Sequence, residues 1–481
     1  MIHQIHGIVW GPAMLIALIT LGIIYSIRSG FFQIRKMGYW WRTTAGSLWN
    51  AGKSRDDKSS GSSSAPNNSA KGTSSGGQNR AGDKHSVTKV QAACTALAAT
   101  VGTGNIVGVA TALTAGGPGA IFWMWVSAAI GMMTAYAETS LGIRYRYRNA
   151  ENRWICGPMV YLEKGLHMPW LGLLYSIFCI LSSLGMGSMV QSNAIAETMN
   201  YTFGAAPLAV GLVLAVLVLI VIWGGIGRIA YVSERLMPIS AGIYIIFSLV
   251  VIFSCYDRIP LVVGQILKSA LAPEALLGGV GGYGISRSLR YGIARGVFSN
   301  EAGLGSLAIL HGAAEDTTPE EQGMWAMFEV FFDTVIICTL TALVILCMTT
   351  EGLDNVFYDG AALTTFCFER RLGDVGRYLV SGSMLVFAFA TIIAWYYLGR
   401  QTVAYVLDRL GRKIAFIKRN EKWLEKLYLL LYLDAVYLGC ISSLKTVWEL
   451  SDIWNGLMAV PNMIALVFLM REVTFPKEPG R

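Results

Sequence analysis

The chain has 481 residues, of which 54% are hydrophobic and only 14% are charged, and its formal net charge is +8. A water-soluble domain carries about 25% charged residues, and one soluble core cannot hide this much apolar surface. The composition therefore excludes an ordinary soluble protein and predicts an integral membrane protein. The basic residues cluster between apolar segments, which indicates a membrane-surface charge bias and argues against nucleic-acid binding.

Apolar runs long enough to cross a bilayer as helices recur along the chain. Eleven spans are predicted, at about 9–27, 92–113, 118–142, 170–198, 206–226, 236–255, 288–312, 323–348, 376–398, 425–447 and 450–470. No basic segment precedes the first span, and Arg28, Arg35 and Lys36 follow it. We therefore expect that span to remain as an anchor rather than to be cleaved as a signal sequence.

One long segment, residues 53–85, has a different composition from the rest. It is rich in Ser, Gly and Asn and has no apolar periodicity, so we predict a disordered linker. The predicted organisation is an N-terminal helix with a basic segment, the linker, a first five-helix repeat, a connection, a second repeat and a tail. Their boundaries are 1–52, 53–85, 86–255, 256–287, 288–471 and 472–481.

Basic residues follow alternate spans, which predicts one orientation in the membrane. They stand after the first, third, fifth and ninth spans, and include Arg28, Arg35, Lys36, Arg42, Lys53, Arg144, Arg146, Arg148, Arg153, Arg228, Arg235, Arg400, Arg409, Arg412, Lys413, Lys418 and Arg419. The positive-inside rule places these segments and the C-terminus in the cytoplasm, with the N-terminus and the connection 256–287 outside. The expected location is the inner (plasma) membrane of a bacterial cell.

Two spans are interrupted by glycine and polar residues, at Thr100–Gly108 (T-V-G-T-G-N-I-V-G) and at Gly296–Gly305 (G-V-F-S-N-E-A-G-L-G). Without the first span and the linker, ten spans remain, and they divide into two sets of five that each begin with a broken span. An odd number of spans per set places the two sets in opposite topology. This pattern predicts an inverted five-helix repeat with a central site at the breaks.

The first break offers two kinds of ligand. Unwinding frees the carbonyls of Ala98, Ala99 and Val101, which suit a hard monovalent cation. The amides near Gly104 and Asn105 open the next helix and suit a carboxylate. A cation and a carboxylate held this close would favour each other's binding. The alternative is that Gly104 and Gly108 form a close G-x-x-x-G helix contact.

In the second break, Phe298 can wall off a small side chain and Asn300 can bind an ammonium group. Glu301 is ionisable at membrane depth, which favours a functional role, although it could instead be a structural carboxyl that secures the unwound backbone. Other polar residues within spans are candidates for the site or for interhelical hydrogen bonds. These are Glu138, Gln191, Asn193, Asp333, Thr334, Thr391 and Trp395.

The sequence shows no nucleotide-binding loop, no G-x-S-x-G motif and no cluster with metal-ligand spacing. These absences favour a transporter that is neither an enzyme nor an ATP-driven pump, with no cofactor beyond its coupling ion.

The segments Ala98–Ala112, Gly116–Trp125 (G-G-P-G-A-I-F-W-M-W), Gly157–Met159, Met189–Asn193 and Gly296–Ser306 strongly resemble the signature of the alanine or glycine:cation symporter family. The resemblance covers nearly the whole chain outside 53–85. It implies an all-α, LeuT-like fold, with an inverted repeat of five plus five helices and one extra N-terminal helix. It also implies sodium-driven uptake of alanine, glycine or a similar small neutral amino acid.

The resemblance also implies roles for single residues. The family's first unwound helix matches Thr100–Asn105 and its second matches Phe298–Glu301. The implied substrate-binding residues are Thr103, Gly104, Asn105, Gln191, Phe298, Ser299, Asn300 and Trp395. The implied sodium ligands are the carbonyls of Ala98, Val101 and Phe387 and the hydroxyl of Thr391.

At several positions the sequence departs from the family pattern. Ala390 stands where a second hydroxyl residue is usual beside the threonine, which removes a potential sodium ligand. Ala394 and Tyr396 flank Trp395 where a glycine and a serine are usual, and Arg400 follows where an acidic residue is usual. Ala135 replaces a common lysine. These changes leave open the affinity and identity of the ion and the size of the substrate.

Three functional readings remain open from the sequence. The first is sodium-coupled uptake of a small neutral amino acid. The second is proton coupling, with Glu301 or Asp333 as the proton carrier. The third is an amino-acid sensor that does not transport and that uses the 53–85 linker as its output. The sequence does not fix the amino acid, the stoichiometry or the oligomeric state.

Overall fold

A computed structural model describes residues 2–47, 87–271, 280–349 and 358–476, and the predicted linker 53–85 lies outside these ranges. The described residues are mainly helical. The helices are α1 Ile2–Val9, α2 Pro12–Arg28, α3 Phe32–Arg35, α4 Met37–Thr43, α5 Lys89–Thr100, α6 Val107–Gly116, α7 Gly119–Tyr145, α8 Pro158–Lys164, α9 Pro169–Leu184, α10 Gln191–Phe203, α11 Pro207–Ile222, α12 Gly225–Phe253, α13 Ile259–Leu271, α14 Val280–Asn300, α15 Ser306–Leu310, α16 Pro319–Val330, α17 Thr339–Met348, α18 Gly360–Leu372, α19 Asp374–Gly411, α20 Ala415–Arg419, α21 Glu421–Ile441 and α22 Leu444–Phe468.

A short β-ribbon and two π-helical segments connect some of these helices. Strands β1 (Tyr147–Arg148) and β2 (Trp154–Ile155) form an antiparallel ribbon, with Tyr147 opposite Ile155. Two π-helical segments, Gly185–Val190 and Phe331–Cys338, continue α9 into α10 and α16 into α17. Each pair of helices therefore forms one long element with a wider turn in its middle.

Local sequence signals set where the principal helices begin. Thr88 and Gln91 form a capping box at the start of α5, and Thr318 and Glu321 do the same for α16. Such a cap satisfies two backbone amides that lack partners within the helix and stabilises it by about 1 kcal/mol. Several other helices begin with proline, as α9 does at Pro169.

All eleven predicted spans fall on helices. Among the described residues, seven helices are long and apolar enough to cross a membrane, and the pair Lys89–Thr100 and Thr103–Gly116, bent by 53°, makes an eighth. The other three predicted spans fall on α11, with 16 residues, and on α14 and α21, with 21 residues each. A multi-pass membrane architecture is confirmed, whereas the count of eleven stays a prediction.

The spans are arranged as two sets of five, and each set begins with a helix broken near its middle. The first set runs from α5 to α12, and the second from α14 to α22. Helix α7 packs against both α14 and α16, so the second helix of the first set contacts the first two helices of the second. This packing brings the two breaks together in the interior.

The extra N-terminal helix pair, α1 and α2, packs against the outside of these two sets. The Tyr25 hydroxyl donates to the Leu466 carbonyl at 2.7 Å, and Trp10 Nε1 donates to the Asp452 carbonyl at 2.8 Å. Both acceptors lie on α22, while α2 also packs on α7. The pair therefore supports the last helix from outside rather than contributing to the repeat.

Two predicted loops are helical in the structure. Arg228 and Arg235 lie on α12, which begins at Gly225, and Arg400 and Arg409 lie within α19. Long arginine stems can lie along a helix while the charged group finds polar partners, so basic residues do not by themselves end a span. Arg228 Nη1, for example, donates to the Ile220 carbonyl at 2.8 Å.

The predicted extracellular connection 256–287 also differs from a simple loop. It contains α13, which packs on α7, and the first turns of α14. Helix α14 is described from Val280, and the boundary predicted at residue 288 stays a prediction.

Candidate functional site

The first break has the predicted position. Helix α5 ends at Thr100, a 3-10 turn spans Thr103–Asn105, and α6 begins at Val107. Gly102 N donates to Asn105 Oδ1 at 2.9 Å, and Thr103 N donates to Gln191 Oε1 at 3.2 Å. Two of the amides at the break are therefore held by amide side chains, and an incoming carboxylate would compete with Gln191 for the second one.

An oxygen cluster lies beside this break. The Thr391 hydroxyl contacts the Ala98 carbonyl at 2.8 Å and the Phe387 carbonyl at 3.1 Å. A Cβ atom at Gly102 would stand only 2.5 Å from Thr391 Oγ1, so the unwound backbone passes directly over the hydroxyl. Three of the four predicted sodium ligands thus meet, and the fourth, Val101, is fully buried in the same unwound segment. These are neutral oxygens, which suit a monovalent cation.

The alternative explanation of the first break, a G-x-x-x-G helix contact, holds only at one end. A Cβ atom at Gly104 would lie 3.0 Å from Ser299 Cα, so the two broken segments pack closely at this point. A Cβ atom at Gly108 would meet nothing within 4 Å. The glycine at 104 therefore serves the approach of the two breaks, and Gly108 takes no part in a close contact.

The second break lies further along the chain than predicted. Phe298, Ser299 and Asn300 remain helical, and the unwound segment runs from Glu301 to Gly305. Glu301 N still donates to the Val297 carbonyl at 2.9 Å, which keeps the preceding turn intact. Glycines set the position, because Gly303 and Gly305 have φ values of +90° and +81° that favour residues without a side chain.

A carboxylate from α7 holds this second unwound segment. Glu138 Oε2 accepts hydrogen bonds from Gly305 N at 3.0 Å and from Asn462 Nδ2 at 2.9 Å. Asn462 Nδ2 also donates to the Gly303 carbonyl at 2.9 Å, and its Oδ1 accepts from the Tyr161 hydroxyl. Glu138 therefore makes interhelical hydrogen bonds that secure the unwound backbone, a role also considered for Glu301.

Glu301 is instead bound to the predicted aromatic residue of α19. Its Oε1 accepts from Trp395 Nε1 at 2.9 Å, and both residues are fully buried. Trp395 also packs on the π segment of the third span, since a Cβ atom at Gly187 would lie 2.5 Å from Trp395 Cβ. Trp395 therefore connects the second break to the 185–190 segment.

Phe298 has a different neighbour. Its ring stacks on Trp448 of α22 with centroids 4.8 Å apart, and the Arg295 guanidinium lies 5.5 Å from the Phe298 ring. Phe298 and Trp395, both predicted to bind the substrate, are therefore held by separate partners in this structure. Phe298 faces the last helix, α22, on which no site residue was predicted.

One carboxylate connects the two breaks. Asp333 Oδ1 accepts from Asn105 Nδ2 at 2.7 Å, and Asp333 Oδ2 accepts from the Thr334 hydroxyl at 2.8 Å. Asn300 Nδ2 in turn donates to Thr334 Oγ1 at 3.0 Å, and Ser299 Oγ lies 3.5 Å from Cys338 Sγ. Three predicted site residues, from both breaks, therefore meet at the π segment Phe331–Cys338. Asp333 belongs to neither break, and its hydrogen bonds link the two.

Two groups of buried polar residues were not predicted. One is a stripe on α22 formed by Asp452, Asn455 and Asn462, and polar residues within an apolar span were the signal for it. The other is His311, whose ring nitrogens lie 2.5 Å from Gln322 Oε1 and 3.1 Å from Glu329 Oε2. Here spacing along the chain gave no signal, because the pairing depends on how α16 packs.

Two unwound helices meeting in the interior, with an oxygen cluster at one break and buried polar groups between them, define a secondary transporter. The comparisons agree with this class. The family model described as the sodium:alanine symporter family matches residues 67–476. The chain therefore belongs to the sodium:alanine symporter family, and it is a membrane transporter that carries an amino acid together with a cation.

Relatives and solved structures are similar over nearly the full chain. The chain is 38% identical to an uncharacterized transporter of Haemophilus influenzae, covering 98% of this chain and 94% of the relative. It is 35% identical to the sodium/alanine symporter AgcS of Methanococcus maripaludis, with the same coverage of 98% and 94%. The structure of a Na⁺-coupled sialic acid symporter matches with a TM-score of 0.56 at 13% identity, covering 96% of this chain and 86% of that one. The predicted LeuT-like fold is confirmed.

Proposed function

We propose that the protein takes up a small neutral amino acid, alanine or glycine, by coupling its entry to sodium. The observation that carries this proposal is the contact of the Thr391 hydroxyl with the carbonyls of Ala98 and Phe387, directly beneath Gly102 of the first break. A sodium ion would replace the hydroxyl proton as the partner of these carbonyls. Neutral oxygens hold one positive charge without leaving a buried negative charge when the ion departs.

The proposed substrate site adjoins the proposed ion site, since a Cβ atom at Gly102 would lie 2.5 Å from Thr391 Oγ1 and 3.1 Å from Gln191 Oε1. The substrate carboxylate would take the amide of Thr103, which Gln191 now occupies at 3.2 Å, and Gln191 would turn to a polar group of the substrate. Gly104, Asn105, Ser299, Asn300, Phe298 and Trp395 would complete the site. Cation and carboxylate then lie on neighbouring residues, and each lowers the cost of removing the other from water.

Close packing supports a small substrate. Ser299 approaches the backbone of Gly104 so closely that a methyl group would meet its Cα at 3.0 Å. Trp395 covers Gly187 with even less room. An additional methylene in a well-packed site costs typically about 1–3 kcal/mol, so side chains larger than that of alanine are disfavoured.

The experiment that tests this proposal is uptake of labelled alanine and glycine into proteoliposomes under separately imposed sodium and proton gradients. Uptake driven by sodium alone supports sodium symport. Uptake driven by protons alone supports the second candidate, which Asp333 favours because this fully buried carboxylate contacts the first break directly and the second through Thr334. Binding without uptake under either gradient would contradict both proposals.

Thr391→Ala is expected to weaken activation by sodium. Loss of one hydrogen-bonding partner of a charged species costs about 1.5–3 kcal/mol, which corresponds to one to two decades in half-saturation. Ala390→Ser, which adds a hydroxyl beside it, is expected to tighten activation. Uptake of alanine as a function of sodium concentration measures both effects, and an unchanged half-saturation in both variants would reject this location of the ion.

The proposed setting is the inner membrane of a bacterial cell, with the N-terminus outside and the C-terminus in the cytoplasm. The bilayer, the amino acid and the sodium ion are the proposed partners. A protease that cuts the 53–85 segment in inside-out vesicles, but not in intact cells, would support this orientation. Cutting in intact cells would reverse it.

A further inference from the structure

A cavity lies away from the two breaks, where the turn between α11 and α12 meets α19. Its volume is about 180 Å³, and its lining includes Arg153, Trp223, Arg400 and Gln401. Arg400 is five residues beyond Trp395 on α19, so the cavity lies about 7 Å further along that helix than the central site. It contains none of the residues that form the proposed amino-acid and sodium sites.

Two arginines line the polar part of this cavity. Arg153 and Arg400 share the carboxylate of Glu425, at 2.7 and 3.2 Å, and Arg153 also pairs with Glu151. Arg228 folds over the glycine turn, since a Cβ atom at Gly224 would lie 2.4 Å from Arg228 Nε. Arg153 and Arg400, the two arginines of the lining, share one carboxylate, so an anionic oxygen that enters the cavity can contact both guanidinium groups.

Two buried polar atoms of the lining residues have no hydrogen-bond partner among the residues that the structure describes. Arg153 Nε is a donor without an acceptor, and Gln401 Oε1 is an acceptor without a donor. Gln401 is 9% exposed, and its Nε2 donates to the Tyr397 hydroxyl at 2.8 Å, which fixes the amide. Buried polar groups are normally paired, so the cavity calls for a ligand with both an anionic oxygen and a hydroxyl donor.

An apolar surface leads to this cavity. Leu212, Val216 and Ile220 recur at four-residue spacing on α11 and are 55%, 56% and 56% exposed, and Trp223, at the end of the same face, is 77% exposed. In a membrane this face contacts acyl chains, and an exposed tryptophan is typical of the level of the lipid headgroups. A lipid is therefore favoured over a soluble phosphate as the ligand.

We propose that the cavity binds an anionic phospholipid with a hydroxylated headgroup, such as phosphatidylglycerol. The phosphate lies between Arg153 and Arg400, a headgroup hydroxyl donates to Gln401 Oε1, and the acyl chains follow the face from Leu212 to Ile220. The bound lipid links the turn between α11 and α12 to α19, the helix that carries Thr391 and Trp395.

The test is native mass spectrometry of the full chain, loaded with phosphatidylglycerol or with phosphatidylcholine of the same acyl chains. We expect the protein to retain one phosphatidylglycerol molecule selectively. The double variant R400Q/Q401L should weaken retention at least about tenfold, the scale expected for losing a charge-assisted hydrogen bond. R419Q, which removes an exposed arginine elsewhere, is the matched control and should behave like the parent.

Three outcomes would overturn the proposal: equal retention of the two lipids, full retention by R400Q/Q401L, or equal loss from R419Q. Glycerol 1-phosphate separates the sources, because binding as tight as that of the lipid would assign the cavity to a soluble phosphate instead. Melting temperature shows whether each variant is folded. If the double variant does not fold, W223A decides, since this exposed side chain can be removed without disturbing the core, and retention equal to the parent's would contradict the lipid.

Discussion

Replacing Gly102 by alanine is expected to weaken the activation of amino-acid uptake by sodium strongly while the protein still folds. The added Cβ atom would stand 2.5 Å from Thr391 Oγ1 and 3.1 Å from Gln191 Oε1. Real Cβ contacts are not this short, so the Thr391 hydroxyl must turn away from the Ala98 carbonyl, or the unwound segment must shift. Either movement separates the oxygens proposed to bind sodium, and it also disturbs the residue that holds the Thr103 amide.

Overpacking of this kind costs typically about 1–3 kcal/mol, and loss of an ion ligand adds a similar amount. The expected increase in the sodium half-saturation is therefore more than about tenfold. Gly108→Ala is the matched control, because it lies six residues away in the same broken span and its Cβ atom would meet nothing within 4 Å.

Uptake of labelled alanine by proteoliposomes, titrated with sodium, measures the effect in both variants, and melting temperature verifies folding. Parent-like activation in Gly102→Ala would show that the unwound backbone does not lie over the ion. Equal losses in Gly102→Ala and Gly108→Ala would attribute the effect to any disturbance of this helix.

The sequence predicted the first break accurately because its determinants are local. Two glycines and an asparagine within four residues favour unwinding wherever this segment lies. The contact between Thr391 and Ala98 is not local, and only the family resemblance implied it. The second break was displaced because glycines occur at both of its ends, at Gly296 and at Gly303 with Gly305. The choice between them depends on Glu138 and Asn462, which are distant in sequence and hold only the second end.

Other features depend on tertiary packing and have no compositional signature. A π-helical segment has one extra residue in a turn, and no residue type marks its position in the sequence. In the segment that contains Asp333, the side chain of Asp333 contacts Asn105 and Thr334, and the contact with Asn105 forms only in the folded chain. The partner of Phe298 was missed for a similar reason. That partner is Trp448, and the face of α22 that meets Phe298 depends on how this helix packs, which the sequence does not show.

Removing the hydrogen-bonded link that Asp333 forms between the two breaks is expected to reduce uptake strongly. Asp333→Leu removes both carboxylate oxygens that Asn105 and Thr334 contact, at 2.7 and 2.8 Å, and leaves the buried Asn105 amide without its shortest partner. Asn105 Nδ2 keeps the Asp333 carbonyl at 3.2 Å, whereas the Thr334 hydroxyl loses its acceptor. A buried polar group that loses its partner costs about 1–3 kcal/mol, and here the side-chain connection between the two breaks is also released. We expect uptake to fall by more than about tenfold.

The variant Asp333→Asn distinguishes a residue that only links the two breaks by hydrogen bonds from one that carries a proton. An asparagine can present its oxygen to Asn105 and its amide to Thr334 Oγ1, so the hydrogen-bonded connection survives while the ionisable group is lost. If sodium is the coupling ion, Asp333→Asn should retain most of its sodium-driven uptake and Asp333→Leu should not.

Asp374→Leu, at an exposed carboxylate whose side chain is 72% accessible, is the control and should transport like the parent. Uptake under separate sodium and proton gradients is the measurement. Loss of uptake in Asp333→Asn with alanine binding intact would instead make the charge of the carboxylate part of coupling, and loss under the proton gradient alone would identify Asp333 as a proton carrier.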